Sequence, residues 1–384
     1  MTFELKRREF FYGLGAAAAG LSLAPAKLLA STSPTAPVAV AHCSSYGPEI
    51  VTTLNRMFDQ LGGLRKLVSG KTVSMKINVT GDATLRYKGM SLGQTYWVHP
   101  EVVAATVHLL GKAGARRINL LESPTGTDIH SRAEFFTNAG WNPADFTGAA
   151  ANVQLVNTNY PGANGRYTRM YVPGGGLLFK AYDLNPAYQD CDVFISLAKL
   201  KEHTTAGITG AMKNLFGITP TTIYGTNAGV DEPSVLAGGA RGMLHAGDRQ
   251  PSKSALSELD PASSRDPGYR VPRVTADLVA ARPIHLSIID GIQTVAGGEG
   301  PWGTNLRAVN SGVLIAGRNP VATDAVCAAM MGFDPMADRG TPPFDKCDST
   351  LKLAEGLGLG TRDLRRIEVI GVPISKARID FRKV

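Results

Sequence analysis

The sequence predicts an α/β fold, a mainly parallel sheet with helices on both faces, plus one long irregular insertion. Three observations lead there. From about Pro37 onward, short β-branched runs alternate with helix-length stretches, the rhythm of a parallel sheet. Several of those runs are apolar at both odd and even positions, as strands covered on both sides must be. The 384 residues, 43% of them hydrophobic, suffice for a large core in one domain or two lobes.

Taken in order, strands are expected at 38–43 (VAVAHC), 72–78 (TVSMKIN), 117–123 (RINLLES), 153–158 (VQLVNT), 192–200 (DVFISLAKL), 284–290 (IHLSIID), 312–317 (GVLIAG) and 367–372 (IEVIGV). Helices are expected near 47–61, 99–114, 130–139, 273–281, 320–332 and 349–357. The second begins at His99-Pro100 and ends in "GKAGA", and the fifth has Asn319 as cap before Pro320, both good boundary chemistry. The α/β domain is expected to span 37–372. Within it, 221–269 is rich in Gly, Ser, Pro and Asp and too long for an ordinary connection, so it reads as a lid or a mobile insertion.

Residues 1–31 read differently. Arg7-Arg8, then Phe10 after one intervening residue, precede a Gly/Ala-rich apolar run and small-residue cleavage sites near Ala26 or Ala30. That is the pattern of a twin-arginine signal peptide, so the partners expected first are the twin-arginine export machinery and the location is periplasmic or extracellular. No apolar run in the mature chain reaches the length of a membrane span. The net charge of +8 is spread thinly, without basic blocks interleaved with aromatics. This argues against a nucleic-acid partner and for a small anionic ligand. Cys43, Cys191, Cys327 and Cys347 are scattered with no C-x-x-C pair, which encodes neither an iron–sulfur cluster nor a structural zinc site. Cys191 and Cys327 are expected to be buried thiols, and a disulfide involving Cys43 or Cys347 stays open.

In parallel α/β sheets ligands bind outside the carboxyl ends of strands. Four expected strands end in polar residues: Lys76 and Asn78, Glu122, Lys199 with Lys201 and His203, and Asp290. After His203 the run Thr204-Thr205-Ala206-Gly207-Ile208-Thr209-Gly210 leads into a helix carrying Lys213 and Asn214. Free amides at a helix start beside a lysine favour a phosphate or carboxylate. The spacing is not that of a Walker loop, and a helix packed tightly on the sheet with solvated lysines is the structural alternative. Gly298, Gly300 and Gly303 formally make G-x-G-x-x-G, but Pro301 removes an amide and a strand follows, so a dinucleotide site is rejected; Trp302 there can wall a ligand. Asp324, on an apolar helix, is expected to pair with a lysine or with His203. His99 reads equally as cap or site, and His245 carries little information. Zinc-protease and hydrolase-elbow signatures are absent.

The stretches "MKIN", "HPEVV", "KLKEHTTAGITGAMKNLFG", "IIDGI", "GGEGPWG", "GVLIAGRNPVATDAV" and "GLGLG" resemble the bacterial and archaeal family called domain of unknown function 362, over residues 38–372. Many of its members carry ferredoxin-like cysteine clusters, and this chain does not. A fainter resemblance links His203, Ala206-Gly207, Thr209-Gly210, Lys213 and Gly217 to the nickel-pincer lactate racemase family. It implies a nucleotide-derived cofactor tethered to Lys213 and His203 as acid or base.

The expectation is therefore an enzyme that binds a small anionic substrate or phosphate-bearing cofactor. His203, Lys213 and Asp290 are the expected catalytic groups. Lys76, Asn78, Lys199, Lys201, Thr204, Gly207, Thr209, Gly210 and Asn214 are expected to bind the ligand or cofactor, and Glu122 and Asp324 to orient His203 or hold a metal. A non-catalytic anion-binding protein, a partner of separately encoded redox proteins, and a racemase-like enzyme are the alternatives.

Overall fold

The computed structural model describes residues 33–124 and 133–384. The expected signal peptide lies outside the described residues, as do residues 130–132 of one expected helix.

Eight strands form one sheet: β1 (Val38–His42), β2 (Thr72–Lys76), β3 (Arg117–Glu122), β4 (Val153–Asn157), β5 (Val193–Lys199), β6 (Leu286–Gly291), β7 (Val313–Gly317) and β8 (Val369–Gly371). Their order across the sheet is β8-β1-β7-β6-β5-β2-β3-β4. β7 runs antiparallel to both neighbours and every other neighbouring pair is parallel. The sheet is thus mainly parallel, as expected.

Alternation along the strands feeds two cores. Val38 and Val40 of β1 and Phe194 and Ala198 of β5 face one side, where helices α5 (Pro267–Ala281) and α6 (Pro320–Met330) pack with Val271, Val274, Val321 and Val326. Ala39, Ala41, Ile195 and Leu197 face the other, against α1 (Glu49–Gln60) and α2 (Pro100–Lys112) with Leu54, Met57, Val102 and Val103. Helix α5 begins earlier than expected, with Asp266 as cap and Pro267 in its first turn, and it runs through Pro272. The carbonyl of Gly268, which a residue 272 amide would otherwise bond, accepts instead from Asp348 N at 2.8 Å, so the proline leaves no orphan.

Topology fixes where a site can form. From β2 the chain steps outward through β3 and β4, then returns to place β5 on the other side of β2 and steps away through β6 and β7. The reversal at β2 and β5 is a switch point, where the loops after adjacent parallel strands diverge and leave a crevice. Beyond β5, Glu202–His203 pairs with Gly207–Ile208, and helix α3 (Gly210–Asn214) follows.

Helix α3 is anchored by Asp324 of α6. Its carboxylate accepts from Ala211 N at 2.7 Å and Met212 N at 2.9 Å. This corrects two expectations: Asp324 pairs with backbone amides rather than with a lysine or His203, and the start of α3 is already filled by an internal anion. Gly210 has φ +50, and a Cβ there would sit 2.5 Å from the Asp324 carboxylate. All four cysteines are free thiols; Cys43, Cys327 and Cys347 are buried, whereas Cys191 is only partly so, with its Sγ against Arg282 Nη2.

Gly210→Ala is expected to lower the unfolding free energy by about 1–3 kcal/mol through overpacking against Asp324 and a strained left-handed backbone. Urea unfolding with an unchanged m-value checks it.

Candidate functional site

At the switch point the structure opens a cavity of about 750 Å³. Among the expected site residues, Lys76, Asn78, Glu122 and Lys201 line it from the strand ends, and His203, Thr209, Lys213 and Asn214 from the segment that follows β5. Lys199, Thr204, Gly207, Gly210, Asp290 and Asp324 do not.

The strand-end cations are mostly neutralised by their own neighbours. Lys76 Nζ is 2.7 Å from Glu122 Oε1 and donates to Ile77 O at 2.6 Å. Glu122 in turn accepts from Val79 N at 3.1 Å and Ser123 N at 2.9 Å. Lys199 and Asp290 form a fully buried pair at 2.8 Å, closed by Tyr46 Oη, Gly93 O, His99 N and Ile292 N. His99 caps α2 and stacks on Tyr46 at 3.5 Å, which makes its part that of a cap. Asp290 is therefore the counter-ion of Lys199 and does not orient His203, correcting the expected catalytic role. Glu122 and Asp324, expected to orient His203 or hold a metal, lie apart and have their oxygens engaged by Lys76, Val79 and Ser123 and by Ala211 and Met212. Among the described residues no group of three or more His, Cys, Asp or Glu side chains is placed to hold a metal ion.

Gly207 and Gly210 serve packing. A Cβ on Gly207, at φ +78, would meet the Phe344 ring at 2.4 Å. Asn214 ties α3 to the sheet, its Nδ2 donating to Lys76 O, Ser196 Oγ and Leu197 O at 3.1–3.3 Å. Thr204 donates from N and Oγ1 to Glu299 Oε2, each at 3.0 Å, and Trp302 Nε1 donates to Glu299 Oε1. Lys201, 1% exposed, donates to Tyr96 O at 2.7 Å and Glu299 O at 2.9 Å. The loop after β6 is thereby tied over the cavity, with Trp302 in its wall.

What remains unengaged is the informative part. Among the described residues Lys213 Nζ has no hydrogen bond or ion pair; it sits 4.2 Å over the Phe216 ring. Burial, more than the nearby Arg241 and Lys76 charges, lowers Lys213 to about 7, against an attraction from Glu299. Burial likewise lowers Lys201 to about 7. The Thr209 hydroxyl, on a residue 3% exposed, has no hydrogen-bond partner.

Sequence reading missed Arg241 and His245, both from the insertion and both on the cavity wall. Arg241 donates from Nε to Thr219 O at 2.8 Å and from Nη2 to Gly217 O and Ser123 Oγ, which leaves Nη1 without a partner among the described residues. His245, on the short helix α4 (Gly242–Ala246), donates from Nδ1 to Arg241 O at 2.9 Å, so in the neutral ring Nε2 carries the lone pair. His203 is the reverse: Nδ1 accepts from Thr205 N at 3.3 Å, which puts the proton on Nε2. Burial first, then the Lys213 charge, holds His203 well below the ordinary histidine range and His245 at about 4. Both rings are neutral at neutral pH. The one available signal was the four-residue spacing of Arg241 and His245, which puts both on one side of a helical turn.

Comparison with known proteins decides the family. Residues 73–329, from β2 to the last turn of α6, match the family described as "Domain of unknown function (DUF362)". The chain belongs to that family. One relative, the thylakoid-associated protein sll1697 of Synechocystis sp., is 29% identical over 172 residues, 44% of this chain. The chain spans about half of that relative's length, 46%. The lactate racemase apoprotein of Thermoanaerobacterium thermosaccharolyticum is a remote likeness, at TM-score 0.34 and 12% identity over 73% of this chain and 55% of that one. At that TM-score it carries no functional argument. In this DUF362 member no helix of the described residues is long and apolar enough to cross a membrane.

Lys199→Ala is expected to destabilise the chain by about 3–5 kcal/mol, because Asp290 is left as an uncompensated buried charge. The double variant Lys199→Met with Asp290→Leu recovers part of that loss. Chemical denaturation of the single and double variants checks both.

Proposed function

We propose that this DUF362 member is an exported protein whose switch-point cavity binds a small anion, a carboxylate or phosphate group on its substrate or cofactor, and that it acts on it as an enzyme. The observation that carries this reading is the set of donors left without partners on one cavity wall: Lys213 Nζ, Arg241 Nη1 and the Thr209 hydroxyl. The Thr209 hydroxyl is a buried donor without a partner, which is rare in a folded chain, and Lys213 and Arg241, both partly exposed, line the same cavity, so a ligand there would supply the missing acceptors. The enzyme part of the reading is supported by His203 and His245. The two neutral imidazoles hold opposite tautomers, one offering a proton and one a lone pair. Residues 221–269 serve as the outer wall of the site, since they supply Arg241 and His245. Export is supported by Arg7, Arg8 and Phe10, and the thylakoid association in the relative's name fits an extracytoplasmic setting.

The sign of the pH dependence follows from the lysines. Lys201 and Lys213, lowered to about 7, are cationic below that pH and neutral above it. An anion favours their charged forms, so binding takes up protons near neutrality and weakens as pH rises. Sulfate, whose own charge is constant, is expected to bind about tenfold more weakly at about pH 9 than at about pH 6, the equivalent of one charge-assisted hydrogen bond of about 1.5 kcal/mol. Arg241→Met weakens sulfate binding at both pH values. Isothermal titration in buffers of different ionisation enthalpy measures the affinity and the proton uptake. Sulfate binding that is absent, or indifferent to pH and to Arg241, overturns the anion site.

A further inference from the structure

Four lysines reach the C-terminal side of the sheet, and their surroundings separate them. Lys76 is locked to Glu122, Lys199 to Asp290, and Lys201 to two backbone carbonyls. Only Lys213, among these, has no polar partner among the described residues. Its ammonium sits over the face of Phe216, and that ring also packs against His245, with ring centroids 4.7 Å apart. One phenyl ring therefore gathers a free amine and an imidazole whose Nε2 bears a lone pair. The carbonyl that fixes that tautomer belongs to Arg241, whose Nη1 is unengaged. An amine, a base and a guanidinium edge thus line one half-apolar cavity.

From this juxtaposition of Lys213, His245 and Arg241 we infer that Lys213 is a nucleophile that condenses with the carbonyl of a small 2-oxo acid, Arg241 taking the carboxylate and His245 carrying the proton. This rests on the anion-site reading and names its substrate class. In the first step the Nζ lone pair forms a C–N bond to the carbonyl carbon and the carbonyl electron pair moves to oxygen; the nitrogen gives up one proton to His245 Nε2, which passes it to that oxygen, leaving a neutral carbinolamine. In the second, the nitrogen gives up its other proton to His245, which delivers it to the hydroxyl as the C–O bond breaks; water leaves and the N–H electron pair becomes the C=N bond of the imine. Amine plus carbonyl yields imine plus water, with no oxidant or reductant. Lys213, lowered to about 7, has a useful fraction of free amine at neutral pH. A resting ion pair would forbid this chemistry, and its absence separates Lys213 from Lys76 and Lys199.

Reductive trapping tests it. The full chain is incubated with pyruvate and cyanoborohydride, and the adduct is located by peptide mass mapping; acetone, which lacks the carboxylate, is the comparison probe. The expected result is one adduct, at Lys213, formed at least about tenfold faster with pyruvate than with acetone and suppressed by sulfate. Lys213→Arg abolishes it, while Lys66→Arg, an exposed lysine outside the cavity, does not. His245→Gln slows trapping at least about tenfold and flattens its pH–rate profile, an effect that simple loss of packing would not produce. Circular dichroism confirms that each variant is folded, and wild-type mapping locates the adduct without any variant. Labelling spread over surface lysines, equal rates with acetone, or no adduct at Lys213 overturns the inference. If sulfate still binds the wild type with its Arg241 and pH dependence while Lys213 stays unlabelled, the covalent step alone falls. If sulfate binding also fails, the anion site falls with it.

Discussion

Desolvation of lysine ammonium groups at the C-terminal edge of the sheet is the constraint that shapes everything around the cavity. A sheet covered on both faces has little water at its strand ends, and an ammonium brought there must find an opposite charge or several carbonyls. The order β6-β5-β2-β3 supplies these in register. Glu122 ends the strand beside Lys76, and Asp290 ends the strand beside Lys199, with Asp290 and Lys199 directly opposite in the ladder. Two strand pairs thus solve the same electrostatic problem in the same way, on either side of the switch point. The pairs leave the strand ends nearly neutral, and among the lysines of this edge Lys213 alone lines the cavity without a polar partner among the described residues.

The second anion in the structure's interior does a different task. Asp324 occupies the amides at the start of α3, a position where an external phosphate would otherwise be attractive. It is 1% exposed and burial pushes it up to about 7, so its ionised form is sustained only by the two amides it accepts from. By filling that end of α3 from inside, Asp324 fixes the helix on α6 and turns its other residues toward the sheet edge. Asn214 is pinned to β2 and β5, and Lys213 is left on the cavity wall. The amides at the start of α3 are thereby occupied from inside the protein, and the cations that line the cavity are side chains.

The sheet was legible because its information is local. Continuous apolar runs of β-branched residues bounded by polar ends fall within two residues of all eight strands. The helix at α5 was misread at its start because Pro272 looks like a breaker, and only a long-range donor, Asp348 N, makes it tolerable. The site was half legible. Residue types at strand ends pointed to Lys76, Lys201 and His203, and the helix start after them to Lys213, all of which line the cavity, but the sequence carries no record of which lysine has a counter-ion. That depends on which strands become neighbours, and β5 beside β2 is a pairing across more than a hundred residues. Gly207 and Gly210 read as a ligand cradle because glycine serves close approach of any kind; here the close partners are Phe344 and Asp324.

The insertion shows why residues from irregular segments have to be judged by their anchors. Residues 221–269 have the composition of a mobile loop, yet they carry a buried ion pair to the sheet-covering helix: Arg270 of α5 meets Glu258 at 2.5 Å and also donates to Met243 O of α4. Tyr224 and Leu244 add fully buried apolar contacts. A charge pair with both partners 0% exposed is a poor source of net stability but a strict geometric constraint, because any arrangement that separates it strands two charges out of water. Helix α4 is held through that pair, and with it Arg241 and His245. Arg241 and His245 are therefore held from two directions, through α4 by Arg270 of α5 and through the Arg241 guanidinium by Thr219, Gly217 and Ser123.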